Sequence, residues 1–406
     1  MKRIQSSRIL ALSPAIIALL FQSSWGLENS VGKTPQMGWN TWNKFACSIN
    51  ETLIKKSADQ IVDLGLDKLG YKYVNIDDCW NAVERDSQGR MQADNQTFPS
   101  GMKAVGDYIH SKGLKFGIYS SAGNLTCQGR AGSLYHEDID AQTWADWGVD
   151  YLKYDNCFNN DVPAIVRYPS MRDALLKTGR DIFYSICNWG YEDTYKWGPQ
   201  TGNSWRTTMD IKDVWASIQY NFRYNDIHYD IAKPGAWNDP DMLEVGNGGL
   251  TLVQEKTHFA LWAVAKSPLI LGCDLDTVSK ESFAIITNQE IIAINQDPLG
   301  VQGHCRVHCT YYDIIENRAQ VYAGPLANGD VAAVIVNWAY TNLGEFTLNF
   351  VDVDIPENTP VLIRDLWAHQ DLGVFTNNFT ISHFDGYESF SYRLTPQKSF
   401  EQVFLQ

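Results

Sequence analysis

The sequence lacks clustered basic residues and lacks long apolar segments in its body, and these absences argue against several classes of protein. The formal net charge is −14, and no basic cluster occurs after the N-terminal residues. Such a surface repels nucleic acids and anionic membranes. The apolar stretch at 259–273 is short and carries Lys266, so no segment after the N-terminus is predicted to cross a bilayer. A neutral, hydroxyl-rich ligand is compatible with this composition.

Cofactor and metal motifs are missing as well. Neither GxGxxG nor GxxxxGK[ST] follows any predicted strand, which argues against a nucleotide-binding sheet. The eight cysteines form no paired CxxC sets and have no Cys/His spacing typical of zinc. Disulfides are therefore the better interpretation of these cysteines, which indicates an oxidising compartment.

Residues 1–26 have the pattern of a cleaved signal peptide. Basic residues precede an apolar run at 9–21, and Ser24 and Gly26 are small residues before a cleavage site after Gly26. A membrane anchor is the alternative, but the run is short for a spanning helix. We therefore expect a secreted, N-glycosylated protein. The predicted glycosylation sites are Asn50, Asn95, Asn124 and Asn378.

A helix that ends in glycine and leads directly into an apolar strand recurs along residues 61–186. The closing glycines are Gly70, Gly113, Gly148 and Gly179. Glycine after a helix adopts the left-handed conformation that closes the last turn. Regular alternation of helix and strand predicts a parallel sheet. Eight strands are predicted, at 36–39, 71–78, 114–120, 149–155, 180–186, 204–206, 236–238 and 268–271.

The count of eight favours a closed (β/α)₈ TIM barrel of the α/β class over an open sheet. After about residue 303 the pattern changes to short strands separated by turns, at 331–338, 345–350, 361–367 and 389–394. This pattern is typical of an antiparallel β-sandwich. We therefore predict a catalytic barrel at 27–305 and a C-terminal β-sandwich domain at 306–406.

Polar and acidic residues gather at the carboxyl ends of the predicted strands, where barrels of this type place their active sites. Period-two alternation places Tyr151, Lys153 and Asp155 on one face. A lysine beside an aspartate lowers the carboxylate pKa and keeps it ionised, as a nucleophile requires. A buried ion pair without a catalytic role is an equally good interpretation of this spacing.

Three other aspartates at strand ends have alternative interpretations. Asp77 and Asp78 fit hydrogen-bond acceptors for sugar hydroxyls, whereas a shared metal is disfavoured because adjacent residues point to opposite faces. Asp78 also fits a helix cap, and Asp210 fits an ordinary surface-loop aspartate. Two carboxylates that flank a glycosidic bond are the basic equipment of sugar hydrolysis. The residues alone therefore predict a secreted barrel hydrolase that acts on carbohydrate, without identifying the sugar.

At these same positions the sequence resembles glycoside hydrolase family 27, the α-galactosidases and α-N-acetylgalactosaminidases. The similar segments are TPQMGWNTW at 34–42, NIDDCW at 75–80, GIYS at 117–120, YLKYDNC at 151–157, SWR at 204–206, WNDPDM at 237–242 and AINQDPLG at 293–300. The resemblance covers roughly residues 30–305 in order, and its motifs coincide with the predicted strand ends.

The resemblance implies a retaining α-galactosidase that needs no metal or organic cofactor. Asp155 would be the nucleophile, and Asp210 would be the acid/base, with a pKa that is raised until the sugar leaves. The substrate would be a galactose-containing oligosaccharide or polysaccharide such as galactomannan, without a nucleic-acid or membrane partner. The residues implied in substrate binding are Trp39, Asp77, Asp78, Tyr119, Cys127, Lys153, Asn188, Arg206 and Asp241.

The resemblance also implies the disulfides Cys47–Cys79 and Cys127–Cys157, and it leaves Cys187 and Cys273 as buried free thiols. Cys305 and Cys309 are expected to close a short loop. The size of Asn188 and Tyr191 favours a plain 2-hydroxyl over an acetamido group.

Other functions remain open on the sequence. α-N-Acetylgalactosaminidase and β-L-arabinopyranosidase are the neighbouring enzymatic alternatives. A lectin-like galactose binder without catalysis is disfavoured because Asp155 and Asp210 are both present.

Overall fold

The computed structural model describes residue 27, residues 29–310 and residues 318–397. The predicted signal peptide at 1–26 lies outside the described residues. Among the helices of the described part, none is long and apolar enough to span a membrane.

Eight parallel strands form the sheet in the first part of the chain, and all eight correspond to predicted strands. They are β1 (Met37–Asn40), β2 (Tyr73–Asn75), β3 (Lys115–Ser121), β4 (Tyr151–Asp155), β5 (Phe183–Cys187), β6 (Ser204–Arg206), β7 (Trp237–Asp239) and β8 (Leu269–Leu271). Their order is β7-β6-β5-β4-β3-β2-β1-β8, so β8 returns beside β1. A parallel bridge from Leu243 to Leu271 links the segment after β7 to β8, and the predicted TIM-barrel fold class is confirmed.

Helices alternate with these strands. They are α1 (Trp42–Phe45), α2 (Glu51–Asp63), α3 (Met102–Ser111), α4 (Glu137–Trp147), α5 (Ala164–Lys177), α6 (Thr194–Trp197), α7 (Trp215–Asp226), α8 (Leu252–Val264), α9 (Lys280–Ile286) and α10 (Gln289–Asn295). Gly148 ends α4 at φ +81°, and its amide donates to the carbonyls of Ala145 and Trp144. This left-handed cap is the predicted reason that the helix stops and β4 begins.

Aromatic side chains fill much of the barrel core. Those of Trp39, Trp80, Trp144, Trp205, Trp237 and Trp262 are fully buried. Burial of such large apolar surfaces is the main stabilising contribution to a domain of this size. At least six of the 14 tryptophans therefore contribute to packing.

The C-terminal part contains two antiparallel sheets. A six-stranded sheet has the order β14-β13-β16-β11-β10-β9, and β12 pairs with β15. The strands are β9 (His304–Val307), β10 (Gln320–Pro325), β11 (Val331–Val336), β12 (Phe346–Asn349), β13 (Pro360–Asp365), β14 (Gln370–Thr376), β15 (Asn378–Ile381) and β16 (Ser389–Pro396). Strands β11, β12, β13 and β16 were predicted, whereas β9, β10, β14 and β15 were missed. A separate buried cluster that includes Val321, Ile335 and Leu394 forms the core of this β-sandwich.

Candidate active site

The carboxyl ends of β2, β3 and β4 bring Asp77, Tyr119, Lys153 and Asp155 together. Lys153 Nζ lies 2.8 Å from Asp77 Oδ2, and Asn40 Nδ2 donates to the same oxygen at 2.9 Å. The strand spacing predicts that Lys153 pairs with Asp155, but its direct partner is Asp77. The Asp77 side chain is buried and that of Lys153 is 15% exposed, so the ammonium balances a carboxylate that has little contact with water.

Asp155 ends β4 and is almost fully buried. Tyr119 Oη donates to its Oδ2 at 3.0 Å, and the backbone amide of Asn156 donates to its Oδ1 at 2.8 Å. Burial raises the pKa of Asp155 to about 6, because it outweighs the attraction of Lys153. The expectation that Lys153 lowers this pKa was therefore wrong in its net direction, although Lys153 does favour the ionised form.

Arg206, at the end of β6, joins two carboxylates. Its Nη2 lies 2.8 Å from Asp241 Oδ2, and its Nη1 lies 3.2 Å from Asp210 Oδ1. The guanidinium is buried, whereas 58% of the Asp210 side chain is exposed. The amides of Ile211 and Met242 also donate to Asp241, which fixes that carboxylate.

The pKa of Asp210 lies below its ordinary value in this substrate-free structure. Burial raises it, but the attraction of Arg206 and Lys153 and the hydrogen bond from Arg206 outweigh that effect. The raised pKa that the resemblance implies concerns the site until the sugar leaves. In the free site Asp210 is largely exposed and next to a cation.

The neighbouring acid and aromatic residues are held by the backbone. Asp78 accepts from the amides of Cys79 and Gln128 at 2.7 and 2.9 Å, so it does not cap a helix. Burial raises the pKa of Asp78, and these two hydrogen bonds oppose the shift. Trp39 is fully buried and donates from Nε1 to the carbonyl of Cys273 at 2.8 Å.

Two disulfides tie loops to the carboxyl end of the barrel. The structure contains Cys47–Cys79 and Cys127–Cys157, the pairs that the resemblance implies, and a third bond, Cys305–Cys309. Both sulfurs of Cys127–Cys157 lie within 4.8 Å of a carboxylate oxygen of Asp155. This disulfide therefore packs against the candidate nucleophile. Cys187 and Cys273 are free and buried.

Loss of the Cys127–Cys157 bond is expected to reduce activity. Without it, the loop after β3 and the segment after β4 can shift against Asp155. Misplacement of a catalytic group by about 1 Å costs on the order of 100-fold, so kcat/KM of the Cys127→Ala/Cys157→Ala variant should fall by on the order of 10- to 100-fold. The matched control, Cys305→Ala/Cys309→Ala, removes the distant bond. Equal losses in the two variants would contradict a local role.

A small cavity inside the barrel adjoins Lys153, Arg206 and Asp241, whereas Asp77, Asp155 and Asp210 do not line it. It is lined by Asn40, Asn75, Tyr151, Lys153, Ser185, Cys187, Arg206, Asp239, Asp241, Met242, Pro268 and Ile270. Asn40, Met242 and the Cys187 thiol were not predicted at the site. Alternation along β1 and β5 is the signal that places Asn40 and Cys187 inward, but neither residue type stands out as functional.

Asn188 does not line this cavity. It is fully buried, and its Nδ2 donates to the Tyr191 carbonyl at 2.6 Å and to Thr194 Oγ1 at 3.0 Å. Its evident contribution is to fix the loop after β5. Tyr191 is half exposed and lies outside the cavity.

Comparisons with known proteins agree with this arrangement. Residues 34–297 match the family described as "Alpha galactosidase A", and residues 316–389 match the "Alpha galactosidase C-terminal beta sandwich domain". The chain is 50% identical to "Alpha-galactosidase 2" of Arabidopsis thaliana, over 88% of this chain and 89% of that protein.

Two solved structures have the same architecture. α-Galactosidase I from Mortierella vinacea superposes with a TM-score of 0.86 at 37% identity, covering 92% of this chain and 100% of that one. An α-galactosidase from Saccharomyces cerevisiae, solved with raffinose, gives 0.83 at 34% identity with the same coverage. The "Alpha galactosidase A" family matches more than half of the sequence, and the barrel carries carboxylates at its strand ends. The chain therefore belongs to the alpha galactosidase A family within glycoside hydrolase family 27 and is an α-galactosidase.

Proposed function

We propose that the chain removes terminal, non-reducing α-D-galactosyl residues by double displacement with retention of configuration. The observation that supports this proposal is the unequal environment of two carboxylates. Asp155 is buried and oriented by Tyr119, whereas Asp210 is exposed and held by Arg206. A nucleophile must be fixed, and an acid/base must exchange protons with the leaving group and water.

In the first step an oxygen of ionised Asp155 attacks the anomeric carbon. The glycosidic C–O bond breaks, and Asp210 gives its proton to the leaving oxygen. In the second step ionised Asp210 takes a proton from water, whose oxygen attacks the same carbon and displaces Asp155. The charges balance at each step, and the chemistry uses these carboxylates without a metal or organic cofactor.

We propose that the bound substrate shields Asp210 from water and thereby keeps it protonated until the leaving oxygen takes the proton. A saccharide over this residue removes water from a side chain that is 58% exposed in the free protein. Desolvation disfavours the carboxylate and raises its pKa. Departure of the leaving group exposes Asp210 again, and its role changes from acid to base.

Galactose recognition is assigned to the groups around the two carboxylates. We propose that Asp77 and Asp78 accept hydrogen bonds from the 6- and 4-hydroxyls, and that Arg206 and Asp241 hold the 2-hydroxyl side. Trp39, Tyr119, Cys127 and Lys153 complete the proposed binding set, and Asn188 supports it indirectly by fixing the loop after β5. The Lys153–Asp77 ion pair supports this assignment, because it keeps a buried carboxylate available as an acceptor.

The proposed substrates are oligosaccharides such as raffinose, with which the yeast relative was solved, and galactomannan. The acetamido and β-L-arabinopyranosyl alternatives are tested by comparing nitrophenyl glycosides of the three sugars. Activity confined to the acetamido or arabinosyl compound would overturn the galactose assignment.

We also propose that the protein is secreted and N-glycosylated. The proposed domains are a barrel at residues 27–305 and a β-sandwich at residues 306–406. Three disulfides support an oxidising compartment. All four asparagines of the glycosylation motifs are exposed, as attachment of a glycan requires: Asn50, Asn95, Asn124 and Asn378.

The pH dependence of kcat/KM is expected to be bell-shaped with its maximum below about pH 6. Burial raises the pKa of Asp155 to about 6, and Arg206 holds that of Asp210 below its ordinary value. Between these two pKa values, Asp155 and Asp210 together carry one proton, which they lose as the pH rises through about 6. Reaction needs that proton on Asp210, so activity should fall on the alkaline side.

The variant Asp210→Asn tests the second requirement of the reaction, which is that Asp155 is ionised. With α-galactosyl fluoride, whose leaving group needs no proton, only ionised Asp155 is required. We expect kcat/KM of the variant to rise with pH and then level off. An alkaline fall that persists in the variant would contradict the assignment of that proton to Asp210.

A further inference from the structure

Helix α7 carries a polar residue in the middle of its buried face. The buried residues of the helix recur at helical spacing and are Ile218, Asn221, Phe222, Asn225 and Asp226. Asn221 is 1% exposed, at a position where an apolar side chain is the ordinary choice. A buried amide costs free energy unless it is hydrogen-bonded, so its partners indicate what it contributes.

The Asn221 amide joins two segments of the chain. Its Nδ2 donates to the Met209 carbonyl at 3.3 Å and to the Pro240 carbonyl at 2.9 Å. Met209 directly precedes Asp210 in the chain, and Pro240 directly precedes Asp241. One side chain therefore sets the separation between the segments after β6 and after β7, each of which carries a carboxylate of the candidate site.

Asp241 is also held by several other contacts. Its amide donates to Asp239 Oδ1 at 2.8 Å, and its carbonyl accepts from Trp262 Nε1 at 2.8 Å. The Met242 amide and the Arg206 guanidinium fix its carboxylate. Loss of one hydrogen bond at the preceding residue should therefore leave Asp241 in place.

Asp210 is less constrained. Its side chain is 58% exposed, it lies 3.2 Å from Arg206, and Met209 before it is 42% exposed. Arg206 Nη2 donates to the Thr208 carbonyl at 3.0 Å, and the Ile211 amide donates to the segment after β7. Between these two tethers, the amide from α7 restrains the residue directly before Asp210. Loss of this amide should therefore let Asp210 move.

We propose that Asn221 is a positioning residue for the acid/base. Its amide holds the chain before Asp210 at a fixed distance from the segment after β7, and this keeps the Asp210 carboxyl where the leaving oxygen can take its proton. The inference rests on the proposed role of Asp210. Misplacement of a catalytic group by about 1 Å costs on the order of 100-fold, so a side chain that does not touch the substrate can limit proton transfer.

The test compares a substrate that needs the proton with one that does not. Asn221→Leu keeps a side chain of similar size and removes both donors. We expect its kcat/KM for raffinose to fall on the order of 10- to 100-fold, whereas the value for α-galactosyl fluoride should stay within about threefold.

The matched control is Asn337→Leu in the C-terminal part. Asn337 is also buried, and its Nδ2 donates to two carbonyls, those of Thr341 and Asp385, at 2.7 and 2.8 Å. This variant should lose stability without a change in the ratio of the two kcat/KM values.

A second measurement separates positioning from a general loss of stability. In the Asp210→Asn background, Asn221→Leu should cause no further loss on raffinose, because the group that it positions is already absent. Asn221→Ser keeps one donor and should show the same preference for the fluoride with a smaller loss, so the test does not depend on the folding of the Leu variant.

Three results would overturn the proposal. They are a loss of the same size on both substrates, an unchanged value for raffinose, and a loss on raffinose that is as large in the Asp210→Asn background as in the wild type. Failure of the catalytic proposal is seen separately, because Asp210→Asn alone would then affect raffinose and the fluoride to the same extent.

Discussion

Replacement of Asp155 with Asn is expected to abolish α-galactoside hydrolysis, with a loss in kcat on the order of 10⁴-fold or more. The amide has the same shape, can accept from the Asn156 amide and can contact the Tyr119 hydroxyl, so the site should keep its geometry. It cannot form the galactosyl ester. The measurement is turnover of 4-nitrophenyl α-galactoside. Even this substrate, which has a good leaving group, needs the nucleophile.

The same variant should be at least as stable as the wild type at neutral pH. The folded-state pKa of Asp155 is raised to about 6, so its ionisation above that pH opposes folding. A neutral amide removes this cost, which amounts to at most about 2–3 kcal/mol. Inactivity together with a lower free energy of unfolding would indicate a damaged fold, and retained activity would remove Asp155 from the nucleophile role.

Replacement of Asp210 with Asn is expected to produce a loss that depends on the leaving group. Raffinose has a sugar leaving group that needs protonation, so its kcat/KM should fall on the order of 10²- to 10⁴-fold. α-Galactosyl fluoride should be much less affected in the first step, because fluoride departs without a proton. The galactosyl-enzyme then accumulates, since no base activates water.

Azide provides the control for this variant. It attacks the anomeric carbon without general-base help, so it should restore turnover of the fluoride and yield α-galactosyl azide. The wild type should show no comparable acceleration. Equal losses on raffinose and fluoride, without rescue by azide, would contradict the acid/base assignment.

The barrel was predictable because its local signals agree with its tertiary structure. Glycines after helices, such as Gly148, and apolar strands directly after them mark each unit. The missed strands of the β-sandwich lack such signals. Strand β14 lies at the edge of its sheet, contains Gly373 and is largely exposed, so it shows no apolar alternation.

The site was predictable in composition but not in its pairings. Strand alternation placed Lys153 and Asp155 on one face, and the resemblance added Arg206. That Lys153 contacts Asp77 instead of Asp155 depends on the register of β2 against β3 and of β3 against β4, which the sequence does not reveal. The pKa shifts of Asp155 and Asp210 depend on burial and on the exposed position of one loop, which are tertiary properties.

The anomeric configuration of the first-formed galactose tests the double displacement most directly. We would follow hydrolysis of 4-nitrophenyl α-galactoside by ¹H NMR, at enough enzyme to outpace mutarotation. Two successive inversions at the anomeric carbon predict α-galactose as the initial product, with the β-anomer growing in later. Initial release of β-galactose would mean a single displacement by water, and Asp155 would then be a base instead of a nucleophile.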